Sequence, residues 1–288
     1  MSGLVGGGSP DLDPAYVIDV VRRALAEDLD GGEDVTSAAT VPADQTATGD
    51  LVARADGVVA GLRVAETVFA TVDPAIRYEA GKHDGDHVRR GDVLATVTGR
   101  TRSLLTAERT ALNLLCHLSG VATATAQWVD AVDGTGARIR DTRKTNPGLR
   151  KLEKYAVRLG GGVNHRMSLS DAALVKDNHV IAAGGVAKAF ALVRARYPDL
   201  PVEVECDSLD DVREAVGAGA DLILLDNMTP AEMTEAVRIA ADARTEASGG
   251  LTLDTAQAVA ATGVDYISVG ALTHSAKILD IALDLRED

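Results

Sequence analysis

The sequence is poor in cysteine, in positive charge and in long apolar runs, and each shortage closes off a class of function. Cys116 and Cys206 are the only two cysteines. They stand far apart in apolar company, so both read as buried thiols rather than as a disulfide or a metal pair. Lysine and arginine number 29 against 43 aspartates and glutamates, a formal net charge of −14. A general nucleic-acid or acidic-membrane binder needs a broad basic surface, which this deficit excludes. No apolar run reaches the ~18 residues of a membrane-spanning helix. The opening Met1-Ser-Gly-Leu-Val-Gly-Gly-Gly-Ser-Pro10 lacks a basic region and an apolar core. It reads as a disordered tail over residues 1–12 rather than a secretory signal, and a cytoplasmic location is expected by default.

What remains is an ordinary globular composition, 46% hydrophobic and 25% charged over 288 residues. That length provides one large or two ordinary domains with ample core. Residues 14–28 have helical periodicity, with Val17, Val20, Val21, Ala24 and Leu25 on one face. Asp13 is placed to cap this helix and Pro14 suits its first position. The polar turn Glu27-Asp-Leu-Asp-Gly-Gly-Glu-Asp-Val-Thr-Ser37 follows, its acids read as caps on a surface loop. Alternating segments at 46–55, 58–60, 76–79 and 93–97 are broken by Asp56-Gly57, Gly81, Asp84-Gly85 and Arg90-Gly91-Asp92. With a short helix near 62–71, they predict an antiparallel sheet with helices against it. One stretch, His87-Val-Arg-Arg-Gly-Asp-Val-Leu-Ala-Thr-Val-Thr-Gly99, resembles half of a lipoyl or biotinyl carrier barrel. A carrier needs a lysine at a hairpin tip, and Lys82 precedes the motif, so the segment reads as scaffold.

Residues 101–131 are mostly helical, with Ser119-Gly120 expected to break them before a second helix at 122–131. Glu108 and Arg109 interrupt the apolar surface of this stretch, and on spacing alone Arg109 reads as a surface charge. Beyond it, short apolar strands at 138–141, 173–176, 202–206, 222–226, 245–248 and 266–269 alternate with helices near 149–159, 184–196, 208–218, 230–242 and 253–262. This is the grammar of βα units on a parallel sheet. Six units are too few for a closed eight-stranded barrel, so the fold class is α/β with an open or incomplete barrel whose gap something else covers.

One region reverses the charge of the chain. Residues 138–176 carry ten Lys/Arg against three Asp/Glu, a net of +7. Arg150, Lys151, Lys154 and Arg158 follow Pro147-Gly148 at helical spacing and read as a solvated helix face. Arg143, Lys144, His165, Arg166 and Lys176 instead lie among Gly, Pro, Asn and Thr at strand ends and loops. They point to a pocket for a small, multiply anionic ligand, because positive charge focused in a cleft concentrates anions. Ser248-Gly249-Gly250 ends one strand before a helix, and Ser268-Val269-Gly270-Ala271 repeats the arrangement one strand later. Two such loops at barrel strand ends read as a phosphate cradle. Glu205 and Asp226 end adjacent strands as an acid/base pair, as ion-pair partners or as ligands for a hard cation. Beside a phosphate site, Mg²⁺ bridging carboxylates and phosphate oxygens is the natural reading. Glu203 shares a face with Glu205 by alternation, so pattern alone leaves open which of them matters. His179 and His274 are weaker signals. Together these groups ask for a phosphorylated sugar, Mg²⁺ and a polycarboxylate.

The motifs Glu108-Arg-Thr-Ala-Leu-Asn113, Leu118-Ser-Gly-Val-Ala-Thr123, Asp141-Thr-Arg-Lys-Thr-Asn-Pro-Gly148, Gly162-Val-Asn-His-Arg166, Lys176-Asp-Asn-His179, Val202-Glu-Val-Glu205, Leu225-Asp-Asn227 and Ala247-Ser-Gly-Gly250 run in order along the chain. The sequence resembles quinolinate phosphoribosyltransferases from about residue 14 onward. The stretch from Glu27 to Ser37 is similar to that family's N-terminal signature, with one residue more in its turn. The resemblance implies an N-terminal α/β sandwich, here 13–130, and a C-terminal open α/β barrel, here 131–288, with the last residues open to reclamation by the first domain. It implies a homodimer in which Arg109 reaches the neighbouring active site and binds a substrate carboxylate. By the same carry-over Arg143, His165, Arg166 and Lys176 surround quinolinate, and Lys144 sits towards the pyrophosphate of phosphoribosyl pyrophosphate. Glu205 and Asp226 face ribose and Mg²⁺, Ser248, Gly249, Gly250 and Gly270 hold the phosphate end, and Thr142, Val269 and Ala271 are further substrate-binding residues. Lys144, Glu205 and Asp226 are the implied catalytic residues. The implied reaction transfers phosphoribosyl to the pyridine nitrogen, with loss of the 2-carboxylate and no covalent nucleophile. A phosphoribosyltransferase with another acceptor, such as nicotinate, and a non-catalytic binding module are the alternatives; the number of cations around the acceptor favours quinolinate.

Overall fold

The computed structural model describes residues 12–286, so the expected tail lies outside the described residues apart from Leu12. Chain contacts divide them into two compact bodies. One contains the chain up to 126, 145–160 and the residues from 273 onward; the other contains 127–144 and 161–272. The division is interleaved: besides the last residues, which the sequence reading left open to the first domain, 145–160 also belong to the first body. Among the described residues no helix is long and apolar enough to cross a membrane.

In the first body the helix Pro14–Leu29 starts where its cap was expected: Asp13 Oδ1 accepts from Ala15 N–H at 3.0 Å. Val17, Val20, Val21 and Leu25 form its buried face. The polar turn that follows ends in the helix Val35–Thr40, capped by Asp34, which accepts from Ser37 N–H at 3.0 Å. The antiparallel sheet has four strands in the order Ile281–Arg286, Thr46–Ala53, Val93–Arg100, Arg77–Ala80. Its first member was not among the sequence-predicted strands. Leu51 pairs with Leu283, a long-range partnership that no local pattern encodes. The carrier-like stretch is split between two partners: His87–Val88 pairs with Gly57–Val58, while Val93–Arg100 joins the four-stranded sheet.

Two expectations fail in this body for the same reason, close packing. Thr101–Ala131 is one unbroken helix, with no interruption at Ser119-Gly120. A Cβ on Gly120 would lie 2.2 Å from the Lys277 carbonyl oxygen, so glycine there admits a neighbouring backbone rather than ending the helix. The helix Arg150–Leu159 is not a solvated cationic face. Its middle, Leu152 through Val157, is buried on every side, with Glu153 and Lys154 both 0% exposed. Of the four cations, Arg150 donates to Thr145 Oγ1 at 2.9 Å and Lys151 stands 4.9 Å from the Tyr16 ring centre. Glu153 takes Asn146 N–H at 3.1 Å and Asn146 Nδ2 at 2.6 Å, which tethers the loop before the helix.

The second body is built on a six-stranded parallel sheet in the order Arg138–Arg140, Tyr266–Ser268, Arg244–Ser248, Leu222–Asp226, Val202–Cys206, Ala173–Val175. The strands match the expected ones within a residue or two. Arg138–Arg140 and Ala173–Val175 stand at opposite edges, which leaves this α/β barrel incomplete. Val163 adds a single parallel bridge beside Arg140. Helices return the chain between strands, several with caps legible in the sequence. Ser208 accepts from Asp211 N–H at the start of Leu209–Gly217, and Thr229 with Glu232 forms a capping box before Pro230–Ala240.

Candidate active site

Register and alternation assemble the site. Glu205 pairs with Leu224, Leu224 with Glu246, and Asp226 with Ser248. Side chains two residues apart on a strand share a face, so Glu205, Asp226, Ser248 and Ser268 all point to one side of the parallel sheet at its carboxyl end. That is the end where such barrels place their chemistry. A pocket of about 380 Å³ opens there. Its basic lining is Arg143, Lys144, Arg166 and Lys176, with His165 and Thr142. Glu205, Asp226, Ser248 and Ser268 line it as well, with Leu174, Leu224 and Glu246.

The lining carries both signs of charge. Burial, and then the charge of Arg143, pull the Arg166 guanidinium below its ordinary pKa. Two neighbouring arginines that repel one another form a site an anion would stabilise. Arg143 Nε is buried without a hydrogen-bond partner. Lys176 Nζ donates to Glu205 Oε2 at 2.5 Å, while Asp226 Oδ2 accepts from Asn227 Nδ2 at 2.6 Å. Glu205 and Asp226 thus offer hard oxygen donors from adjacent strands, the donor chemistry that suits Mg²⁺. Lys144 N–H donates to Thr142 Oγ1 at 3.0 Å, which shapes the turn that carries the lysine.

The glycine loop beside Ser248 is fixed by its neighbour. A Cβ on Gly249, whose φ is +92°, would lie 2.2 Å from Asn227 Oδ1. Only glycine admits both that backbone angle and that approach. Asn227 is itself left-handed, with φ 56°.

Beneath the pocket lies a charged layer. Glu203 and Glu246 are buried, and so are Arg140 and His165. Arg140 donates to Glu246 and stands 4.4 Å from the Tyr266 ring centre. Burial opposes its charge, but the carboxylates of Glu246 and Glu203 hold Arg140 above its ordinary pKa. His165 Nε2 lies 2.7 Å from Glu203 Oε2. Burial pushes Glu246 up, and pushes Glu203 up to about 7 from an ordinary 4.5. A folded pKa above the unfolded one means that the folded chain holds more protons between those values, so this group costs stability as pH rises through that window. Glu203→Gln is therefore expected to flatten part of the stability loss between about pH 4.5 and 7, by up to ~1.4 kcal/mol per pH unit. Paired thermal melts across that range check it; parallel curves for the two proteins would count against the shift.

Comparison with known proteins decides the family. A family model described as the quinolinate phosphoribosyl transferase N-terminal domain matches residues 34–119, and its C-terminal counterpart matches 121–284. The chain is 53% identical to nicotinate-nucleotide pyrophosphorylase (carboxylating) of Mycobacterium leprae, across 93% of this chain and 96% of that one. The chain belongs to the quinolinate phosphoribosyltransferase family. It is also 41% identical to quinolinate phosphoribosyltransferase (decarboxylating) 2b of Nicotiana tabacum, over 96% of this chain and 84% of that protein. The crystal structure of NadC from Streptococcus pyogenes superposes with a TM-score of 0.91 at 43% identity, covering 97% of this chain and 100% of that one. Membership makes this chain an enzyme, a pentosyltransferase.

In this quinolinate phosphoribosyltransferase family member, Thr142, Arg143, Lys144, His165, Arg166, Lys176, Glu205, Asp226 and Ser248 share one pocket. Gly249, Gly250, Val269, Gly270 and Ala271 follow the last two strand ends but are not among its lining residues. Arg109 belongs to the other body, on the helix Thr101–Ala131, with its side chain 65% exposed. The ambiguity between Glu203 and Glu205 resolves: Glu205 lines the pocket and Glu203 is bonded to His165. Glu246 and Arg140 escaped sequence reasoning, and Ser268 was read only as part of its glycine loop. A charge at Glu246 within the apolar strand end Thr245-Glu-Ala-Ser248 was the available signal, and its alternation with Ser248 gave its face. Cys206 is buried, and burial pushes its thiol up to about 12.

Proposed function

We propose that this chain transfers the phosphoribosyl group of phosphoribosyl pyrophosphate to the nitrogen of quinolinate, in a Mg²⁺-dependent reaction that releases pyrophosphate and carbon dioxide and yields nicotinate mononucleotide. The observation that carries the reading is the presence of Arg143 and Arg166 together with Glu205 and Asp226 in a single pocket. Two arginines with Lys176 suit the two carboxylates of the acceptor, since guanidinium groups grip carboxylates through paired bonds. Lys144 neutralises charge on the departing pyrophosphate. The Glu205 and Asp226 carboxylates stabilise positive charge developing on the ribose carbon, and they are the residues that would hold Mg²⁺. The metal, when bound, supplies further neutralisation of the phosphate oxygens. Once the ring nitrogen is alkylated, the cationic ring stabilises the carbon left behind as carbon dioxide departs. Fixed charges do the chemistry and no covalent nucleophile is needed.

The same reading makes the enzyme a cytoplasmic homodimer of NAD biosynthesis, with Arg109 delivered to the neighbouring subunit's pocket. The deciding assay offers quinolinate and nicotinate separately with phosphoribosyl pyrophosphate, and follows carbon dioxide and mononucleotide. Turnover of quinolinate alone is expected, and chelation of divalent cations should lower it at least ~100-fold, with recovery on adding Mg²⁺. Turnover of nicotinate in place of quinolinate overturns the acceptor, and full activity in chelator overturns the metal requirement.

A further inference from the structure

The interior of the parallel barrel is ionic where bulky branched side chains ordinarily pack. Arg140, Glu203, Glu246 and His165 are 3%, 4%, 0% and 9% exposed. Glu203 and Glu246 stand two residues before the pocket residues Glu205 and Ser248, on the same faces of their strands. Burying charge is costly even when it is paired, and apolar residues of similar volume often serve stability as well or better. Stability is therefore a weak reason for this layer, and its bonds suggest another.

The Arg166 backbone N–H donates to His165 Nδ1 at 2.7 Å. A ring nitrogen that accepts carries no proton, so the proton of the neutral ring is on Nε2. Nε2 then donates to Glu203 Oε2 at 2.7 Å, with Glu246 Oε1 3.6 Å away. These three side chains also bring their ligand atoms within 4.8 Å of one another, as a metal site would. A protonated Nε2 has no lone pair for a metal, however, and Arg140 already occupies Glu246. The cluster orients a ring. Asp141 secures the same turn from its other side: Oδ1 accepts from His165 N–H at 2.8 Å and Oδ2 from Asn164 Nδ2 at 2.6 Å.

We propose that Glu203 is a positioning residue for the acceptor end of the pocket. By accepting from His165 Nε2–H it keeps Nδ1 as the acceptor for Arg166 N–H, and so fixes the backbone from which the Arg166 guanidinium reaches the substrate carboxylate. Glu246 and Arg140 complete the layer and hold Glu203 in place. The inference rests on the reading of His165 and Arg166 as acceptor-binding groups.

Two variants separate positioning from bulk structure. Glu203→Gln retains a carbonyl that accepts from Nε2–H, whereas Glu203→Leu has similar volume and no acceptor. The KM for quinolinate should stay within about twofold in Glu203→Gln and rise about tenfold or more in Glu203→Leu, with the KM for phosphoribosyl pyrophosphate unchanged in both. Nitrogen-15 NMR of the imidazoles, with His165 assigned by its loss in His165→Gln, should show a bare Nδ1 and a protonated Nε2 in the wild type and in Glu203→Gln. An Nδ1–H ring in the wild type, an unchanged quinolinate KM in Glu203→Leu, or a tenfold rise in Glu203→Gln would each overturn the proposal. If Glu203→Leu fails to fold, the wild-type tautomer and the Glu203→Gln KM still decide it. Failure of the wild type to use quinolinate would sink the functional reading instead, and the tautomer would still test the orientation of the ring by itself.

Discussion

Arg166→Ala is expected to raise the KM for quinolinate by about 10- to 100-fold while leaving that for phosphoribosyl pyrophosphate within about twofold. The size follows from a charge-assisted hydrogen bond, worth ~1.5–3 kcal/mol when one partner is removed and the other stays buried. The selectivity follows from position. Arg166 stands in a loop with His165 and feels the charge of Arg143, whereas Glu205, Asp226 and Ser248 lie on strands of the parallel sheet. Arg166→Lys keeps the charge but loses the planar fork, so it should fall between the two, near tenfold. Arg143→Ala should act in the same direction, and the double variant should cost more than the product of the singles. Each single substitution removes the repulsion that the two guanidinium groups exert on one another, an offset the double variant gains only once. Steady-state kinetics with each substrate varied in turn provides the check. A rise confined to phosphoribosyl pyrophosphate would overturn the assignment of Arg166 to the acceptor.

Gly120→Ala is expected to destabilise the first body by about 3 kcal/mol or more, lowering Tm by roughly 6–12 °C. The added methyl would meet three backbone atoms at once: the Lys277 carbonyl oxygen at 2.2 Å, its carbon at 3.0 Å and Ile278 Cα at 2.8 Å. A flexible side chain could rotate away; a backbone segment held against a helix cannot, because Leu279 N–H donates to the Cys116 carbonyl at 3.0 Å one turn earlier. Gly217→Ala is the control. It lies in the last turn of Leu209–Gly217, and nothing stands within 4 Å of the added carbon. That change should be neutral or stabilising by up to ~1 kcal/mol. Equal melting temperatures for Gly120→Ala and Gly217→Ala would show that the close approach carries no energetic weight.

Those two glycines mark what the sequence makes legible. Glycine in a helix pattern signals a break or a close approach, and only the partner decides which. At Gly120 the partner lies more than 150 positions away, so local reading chose the break. The helix Arg150–Leu159 hid its environment in the same way. Spacing displayed Arg150, Lys151, Lys154 and Arg158 as a face, but neighbours distant in sequence bury Lys154 completely. The parallel strands were legible because each is a short apolar run closed by a polar residue, a pattern that survives without knowledge of contacts. For that reason Lys144, Lys176, Glu205, Asp226 and Ser248 could be assigned to one end of one sheet. Arg140 and Glu246 were not recognised because a charge inside a strand reads locally as solvent-facing; only the register brings Arg140, Glu246 and Glu203 to one interior.

The strand Ile281–Arg286 pairs with Thr46–Ala53 and completes the first body's sheet with some of the last residues of the chain. During synthesis on the ribosome, residues 46–53 emerge long before their partner exists. Until then one side of Thr46–Ala53 is an open edge, and an open edge can recruit foreign strands. That edge of Thr46–Ala53 can be paired only once Ile281–Arg286 has been made. A nascent chain stalled short of Ile281 carries an unfinished sheet, and cutting the gene near codon 130 yields two fragments of which the first lacks its closing strand.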